Sequence, residues 1–295
     1  VGTTATNHTM RPTIPIFSLL LATASPVAAI HRPASLSESV PIADGVDMPK
    51  ISVGHPDDGS GMAEELELWL KFGGVGIDTA YDYHNQDQVA QGLVASGKSR
   101  DEVFITTKIP CKLTRKAALA NIKEDLRELN VSYVDLMLIH FPCEMKGLPA
   151  KGNIATWLGL QDALAQNLTR AIGVSNFDVD HLKSVLALGG APPSVNQCSM
   201  SVGNHDDTTI SFCAKNNITY EAYSPLRHVN LSDERVAKIA NNHEVQPAQV
   251  ALKWVLQKDC ILTTSPGTNE DYTKEDLALD GFTLTSDEME VLSSM

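Results

Sequence analysis

The run Gly76-Ile77-Asp78-Thr79-Ala80-Tyr81-Asp82-Tyr83-His84 ends a short apolar stretch in a carboxylate, with a phenol five residues beyond it. Two other apolar stretches end in ionisable groups, Val103 to Lys108 in an ammonium and Tyr133 to His140 in an imidazole. Gathered together, these four groups can deliver a proton to an oxygen that is becoming negative. A carbonyl accepting hydride has such an oxygen, because alkoxide character builds on it as the new C–H bond forms. Tyr83 is the candidate donor. A free phenol titrates near about 10, and Lys108 as a neighbouring ammonium is expected to lower that value. Asp78 would hold the ammonium and partly neutralise it, while His140 directs the carbonyl oxygen or relays its proton. Singly, each residue has an ordinary explanation: a helix cap, a solvated lysine, a satisfied core histidine. Their joint occurrence at strand ends is what carries weight.

The four meet only if the elements bearing them converge. From about residue 50 onward, short β-branched runs alternate with longer amphipathic ones, and no linker interrupts them. Strands are expected at Lys50 to Gly54, Val75 to Asp78, Val103 to Lys108, Tyr133 to His140, Arg170 to Ser175, Ser194 to Gln197, Ile218 to Tyr223 and Cys260 to Thr264. Helices are expected at Ala63 to Phe72, Gln86 to Ser96, Thr114 to Leu129, Ile154 to Gln166, Val179 to Leu188, Asp206 to Lys215, Glu234 to Asn242 and Pro247 to Gln257. The nearly unbroken apolar run Val134-Asp-Leu-Met-Leu-Ile139 suits a parallel strand covered on both faces. Together these imply an α/β protein, a single-domain (β/α)8 TIM barrel, and 295 residues are enough for one. An open doubly wound sheet competes, but it would place a glycine-rich phosphate turn after the first strand, and His55-Pro-Asp-Asp-Gly59 does not supply one. Upstream, Val40 to Met48 reads as a hairpin about Asp44-Gly45 that caps the barrel's bottom. A barrel collects chemistry at the carboxyl ends of its strands. Those ends are Gly54, Asp78, Lys108, His140, Ser175 with Asn176, Gln197, Tyr223, and Thr264 with Ser265.

Composition narrows the partners. With 43% hydrophobic and 20% charged residues the chain can bury a full core. A net charge of -13 without a basic cluster makes nucleic acid an unsuitable partner, and an anionic cofactor needs a local positive site. The five cysteines contain no CxxC pair, and an odd count argues against a disulfide scaffold, so buried or incidental thiols are expected and no metal site. Met10 to Ala29 has an apolar run, Ile14 to Ala24, followed by small residues. It reads either as a signal peptide cleaved after Ala29 or as a disordered tail, which divides the chain into 1–29 and a barrel over 30–295. The run is too short to cross a bilayer as a helix, and no transmembrane segment is expected. Asn-x-Ser/Thr triplets at Asn7, Asn130, Asn167, Asn217 and Asn230 lean weakly toward secretion, leaving cytoplasmic and secretory locations both open.

The motifs Gly76 to Tyr83, Ile105-Thr-Thr-Lys108, Val134 to Pro142, Ala171-Ile-Gly-Val-Ser-Asn-Phe177, Val195-Asn-Gln197 and Ala222-Tyr-Ser-Pro-Leu226 together resemble an aldo-keto reductase, from about Ile42 to Leu292. The resemblance puts that family's catalytic tetrad on Asp78, Tyr83, Lys108 and His140. It implies a nicotinamide stacked on Tyr223 with its carboxamide held by Ser175, Asn176 and Gln197. Gly54 would border the cofactor, and Ser224 and Leu226 would follow the pyrophosphate. The implied cofactor is NADPH, bound without a glycine-rich turn, and the implied reaction is reduction of small-molecule aldehydes or ketones by a monomer. Relatives carry a Lys and an Arg after the eighth strand to clamp the 2'-phosphate, whereas this chain reads Leu262-Thr-Thr-Ser-Pro-Gly-Thr-Asn-Glu-Asp-Tyr-Thr-Lys274. Thr264, Ser265 and the following helix N-terminus are the donors left for a phosphate, and Glu270 with Asp271 would repel it, so NADH is the alternative. A short segment after His140 and an end at Met295 lead us to expect an open mouth and modest selectivity. The alternative to an enzyme is a reductase-like, cofactor-binding protein with an interaction or structural role, as in channel β subunits and some lens crystallins; the intact tetrad argues against it.

Overall fold

The computed structural model describes residues 1–2, 38–54 and 61–295. The signal-like segment and His55 to Gly59 lie outside the described residues. An antiparallel hairpin, β1 (Ser39–Ala43) and β2 (Val46–Pro49), comes first. The chain then runs β3 (Ile51–Gly54), α1 (Met62–Lys71), β4 (Gly76–Asp78), α2 (Gln86–Ser96), β5 (Phe104–Ile109), α3 (Arg115–Glu128), β6 (Val134–Ile139) and α4 (Lys151–Ala165). It continues through β7 (Thr169–Ser175), α5 (Val179–Leu186), β8 (Val195–Ser199), α6 (Asp207–Lys215), β9 (Thr219–Tyr223), α7 (Glu234–His243) and α8 (Pro247–Gln257). β10 (Ile261–Thr264), α9 (Glu270–Leu277) and α10 (Ser286–Ser293) complete it. Strands β3 to β10 are parallel and close into a barrel, β10 pairing with β3 through Leu262 and Ile51. This is the (β/α)8 TIM barrel, with the hairpin in front of it.

The alternation of a strand explains how one apolar run serves two layers. In β6, Leu136 and Leu138 pack with Phe104, Val195 and Ile261 against the hairpin's Ile42, Val46 and Met48, whereas Met137 and Ile139 join the large core under the helices. The hairpin therefore plugs the bottom. Its turn residue Gly45 has φ +68°, and the Gly45 carbonyl accepts a 2.7 Å bond from Arg170. Buried Asp135 ties the same end together, accepting from Arg100 at 2.6 Å and Arg170 at 2.7 Å.

Three returns from helix to strand share one device. Asn130, Asn167 and Asn217 adopt φ of 53°, 55° and 54° just past α3, α4 and α6. The next amides, of Val131, Leu168 and Ile218, donate back to Leu126, Ala163 and Cys213, a left-handed stop that asparagine tolerates. Three of the five Asn-x-Ser/Thr triplets thus have a conformational reason to begin with asparagine.

The cysteine expectation needs correction. Cys111 and Cys143 form a disulfide with Cα atoms 5.3 Å apart. Each follows an active-site candidate by three residues, Lys108 or His140, and the in-register pairing of β5 with β6 brings the two loops together. Cys198, Cys213 and Cys260 are free thiols, as expected of all five. Trp157 is fully buried and serves packing.

Candidate active site

Asp78 ends β4 beside Gly54 of β3. A Cβ at Gly54 would come within 2.9 Å of Asp78 and Thr263, so glycine is what lets the two strand ends close. Beyond Asp78 the Thr79 amide continues the ladder to Thr106, and one 3-10 turn, Tyr81–Tyr83, carries the phenol back over the barrel. His84 stops that turn at φ 55° and stays outside the cavity. Lys108, the penultimate residue of β5, is fully buried with its ammonium held from three sides. Its Nζ lies 2.5 Å from Asp78 Oδ1, 3.0 Å from the Thr79 carbonyl and 3.4 Å from the Tyr83 hydroxyl. His140 follows β6, and its ring centroid is 5.3 Å from that of Tyr83.

The neighbouring strand ends supply a polar floor. Asn176, at φ 63°, donates through Nδ2 to the His140 carbonyl (2.9 Å) and Ser175 Oγ (3.0 Å), and its Oδ1 accepts from the Tyr223 hydroxyl at 2.8 Å. Ser175 donates to the Gln197 carbonyl. Gln197 Nε2 donates to Asp78 Oδ2 and Glu221 Oε2, both at 2.8 Å. The cavity so formed encloses about 540 Å³. Gly54, Asp78, Tyr83, His140, Ser175, Asn176, Gln197, Tyr223, Ser224, Leu226, Thr264 and Ser265 all line it, with Lys108 just behind. Every candidate read from the sequence is therefore brought to one place. Two are engaged differently from the expectation that they are donors awaiting a phosphate: Thr264 donates to Asp276 at 2.8 Å, and Ser265 to Glu65 at 3.0 Å.

Charge in the cavity is set by burial. Burial pushes the Tyr83 hydroxyl above its ordinary range; Lys108 is the strongest opposing influence but does not cancel it, and Asp78 adds to the rise. The expected lowering of the phenol is thus not met, because a phenolate would be desolvated with two carboxylates, Asp78 and Glu221, close by. The phenol stays protonated at neutral pH and ready to donate. Burial works against the Lys108 ammonium too, yet Asp78 and Tyr83 outweigh it and raise its pKa. Burial lowers His140, so its imidazole is neutral at pH 7.

Sequence reasoning missed several contributors. Asp82 Oδ2 lies 3.5 Å from His140 Nδ1, longer than a good hydrogen bond, and His140 draws its carboxyl down. Its signal was its place inside the Asp78 to Tyr83 run. Glu221 is fully buried, and burial followed by the charge on Asp78 pushes it up to about 8. It stands two residues before Tyr223 on the inward face of β9, where alternation would have found it. Phe141, Lys146 and Arg227 also line the cavity.

A lysine–carboxylate pair beneath a tyrosine lies at the carboxyl ends of a closed parallel barrel, a TIM barrel with its ionisable groups gathered at the mouth. The sequence profile of the Aldo/keto reductase family matches residues 60–295. The chain is 31% identical to a Saccharomyces cerevisiae glycerol 2-dehydrogenase (NADP(+)), over 89% of this chain and 93% of that one. It is 32% identical to a Bacillus subtilis glyoxal reductase, over 89% and 94%. A Bombyx mori aldo-keto reductase solved in complex with NADP superposes with a TM-score of 0.80 at 27% identity, covering 88% of this chain and 93% of that one. The chain belongs to the aldo/keto reductase family, oxidoreductases that use NAD(P)H. The nicotinamide half of such a cofactor fits the residues present. Tyr223 offers a half-buried aromatic face, and Ser175, Asn176 and Gln197 offer amide and hydroxyl partners around it.

Proposed function

We propose that the protein reduces aldehydes or ketones to alcohols, with hydride from a nicotinamide dinucleotide and the proton from Tyr83. The observation that carries this reading is the buried Lys108 ammonium, in contact with both Asp78 and the Tyr83 hydroxyl. Reduced nicotinamide, when bound, supplies the hydride that forms the new C–H bond. Tyr83 gives its proton to the carbonyl oxygen as that oxygen gains negative charge, and the O–H bond it breaks leaves a phenolate. Lys108 stabilises the phenolate and Asp78 keeps Lys108 charged, until solvent returns the proton. Neutral His140 lines the same cavity and supplies an N–H to direct the carbonyl. The printed activities of two relatives, glyoxal reductase and glycerol 2-dehydrogenase, support small polar carbonyl compounds as substrates. The polar floor of the cavity agrees.

Tyr83→Phe is the direct test. Turnover of small aldehydes should fall by roughly 10²–10⁴-fold, the range for losing a positioned acid, while cofactor binding, read by fluorescence quenching, is retained. Undiminished turnover would defeat the mechanism.

A further inference from the structure

Leu226 and Ser265 line the catalytic cavity and also a second hollow of about 720 Å³ at the starts of α8 and α9. A ligand long enough to leave the first cavity past these two residues enters the second. Its charge has one sign. Asp271, Glu275 and Asp276 line it, and no lysine or arginine does among the described residues. Lys274 faces Glu270 at 3.5 Å and Asp271 at 3.8 Å, and Lys71 pairs with Glu270 at 3.1 Å. The donors that an anion would use already serve carboxyl and amide oxygens. Glu65 Oε1 accepts from Ser265 Oγ at 3.0 Å and from the Gly267 amide at 2.7 Å. Asn269 caps α9 by accepting from the amides of Asp271 and Tyr272, and Thr264 donates to Asp276.

A phosphomonoester at this place would meet carboxylates where it needs cations. A ribose diol and an amino-purine meet what they need, because their hydroxyl and amine hydrogens find carboxylate acceptors. The exposed Tyr272 ring adds a face for the base. We infer that the dinucleotide used here is NADH, its adenosine lying in the second hollow with the 2'-hydroxyl unphosphorylated. The inference rests on the reductase reading above. It departs from the NADPH implied by resemblance, and from the NADP(+) in the yeast relative's name. The residues after β10 do not fit a 2'-phosphate.

Calorimetric titration of the purified protein with NADH and NADPH tests this without turnover. NADH should bind at least about tenfold more tightly, as expected for removing a phosphate dianion from a field of carboxylates. Equal or tighter binding of NADPH overturns the inference and leaves the reductase reading standing; binding of neither overturns both. Asp271→Arg, on an exposed side chain, should shift the NADH to NADPH preference toward NADPH by about tenfold. Glu65→Gln should shift it the same way by removing the carboxylate charge at Ser265 and Gly267. A preference unmoved by both substitutions also overturns the inference.

Discussion

The two hollows that share Leu226 and Ser265 hold charge in opposite ways. In the first, Asp78, Lys108 and Glu221 are carried by strands, buried, and tied to one another directly or through Gln197. In the second, most of the charge lies on α9, where Asp271 is 84% exposed and its lysine contact is loose at 3.8 Å. The difference separates what is fixed from what is adjustable. Removing one member of a buried set leaves an uncompensated charge, whereas an exposed carboxylate is exchanged at small cost. Under the proposed reading, the chemistry sits on rigid strand ends and cofactor choice is left to a helix and loop at the rim.

The hardest blow to this contrast is Lys108→Met. It strands Asp78 in the interior and removes the cation beside Tyr83, so kcat should fall by about 10³-fold or more and the thermal midpoint should drop as well. Retained turnover would show that the buried set is not what drives proton transfer.

A smaller effect should come from the Cys111–Cys143 bond, which joins the loop after Lys108 to the loop after His140 across 32 residues of sequence. By loop-closure entropy the bond contributes about 4 kcal/mol. Cys143→Ser should therefore lower the thermal midpoint by roughly 5–10 °C, and a reductant should do the same to the native chain but nothing further to the variant. A midpoint indifferent to both treatments would remove the bond from the account of the rigid end.

The first hollow was largely legible because its residues close β-branched runs whose convergence follows from the barrel. Asp78, Lys108, His140 and Gln197 needed only strand ends and topology. The disulfide was hidden because its pairing depends on the register of β5 with β6, not on cysteine spacing. Glu65 was hidden because α1 begins with several acids, Glu64, Glu65 and Glu67, and the sequence does not say which one reaches Ser265, 200 residues away. The Tyr83 pKa was misjudged because its sign depends on burial weighed against three charges, and the sequence displays only the charges. The N-terminal segment lies outside the described residues.

Glu221 gives the buried set a pH signature. Its folded pKa is about 8 against about 4.3 in an unfolded chain. The folded state therefore binds the proton more tightly, and the stability this contributes is complete below about 4.3 and lost as pH rises through about 8. Burial raises Asp125 to about 7 and Asp276 to about 6, which act in the same direction over lower windows. His140, lowered by burial, acts oppositely, losing its contribution as pH falls below about 6.5. Between about pH 7 and 8, where Glu221 dominates, the thermal midpoint should fall, and Glu221→Gln should flatten that slope. An equal slope in the variant would mean that Glu221 is ionised in the folded protein.

The smallest effect belongs to the rim. Lys71 and Glu270 form an ion pair at 3.1 Å with both side chains about half exposed, at 57% and 49%. Solvent screens such a pair, so Lys71→Ala should leave the thermal midpoint nearly where it was, in contrast to Lys108→Met. It does leave Glu270 with only Lys274 opposite among the described residues, at 3.5 Å, and so makes the outer wall of α9 more negative. NADPH binding should weaken by about twofold at low salt and recover as salt is added, while NADH binding and kcat with NADH stay unchanged. Equal weakening of both cofactors would place the effect on packing of α9 against α1 rather than on charge, and the rim would then resemble the strand ends it is contrasted with.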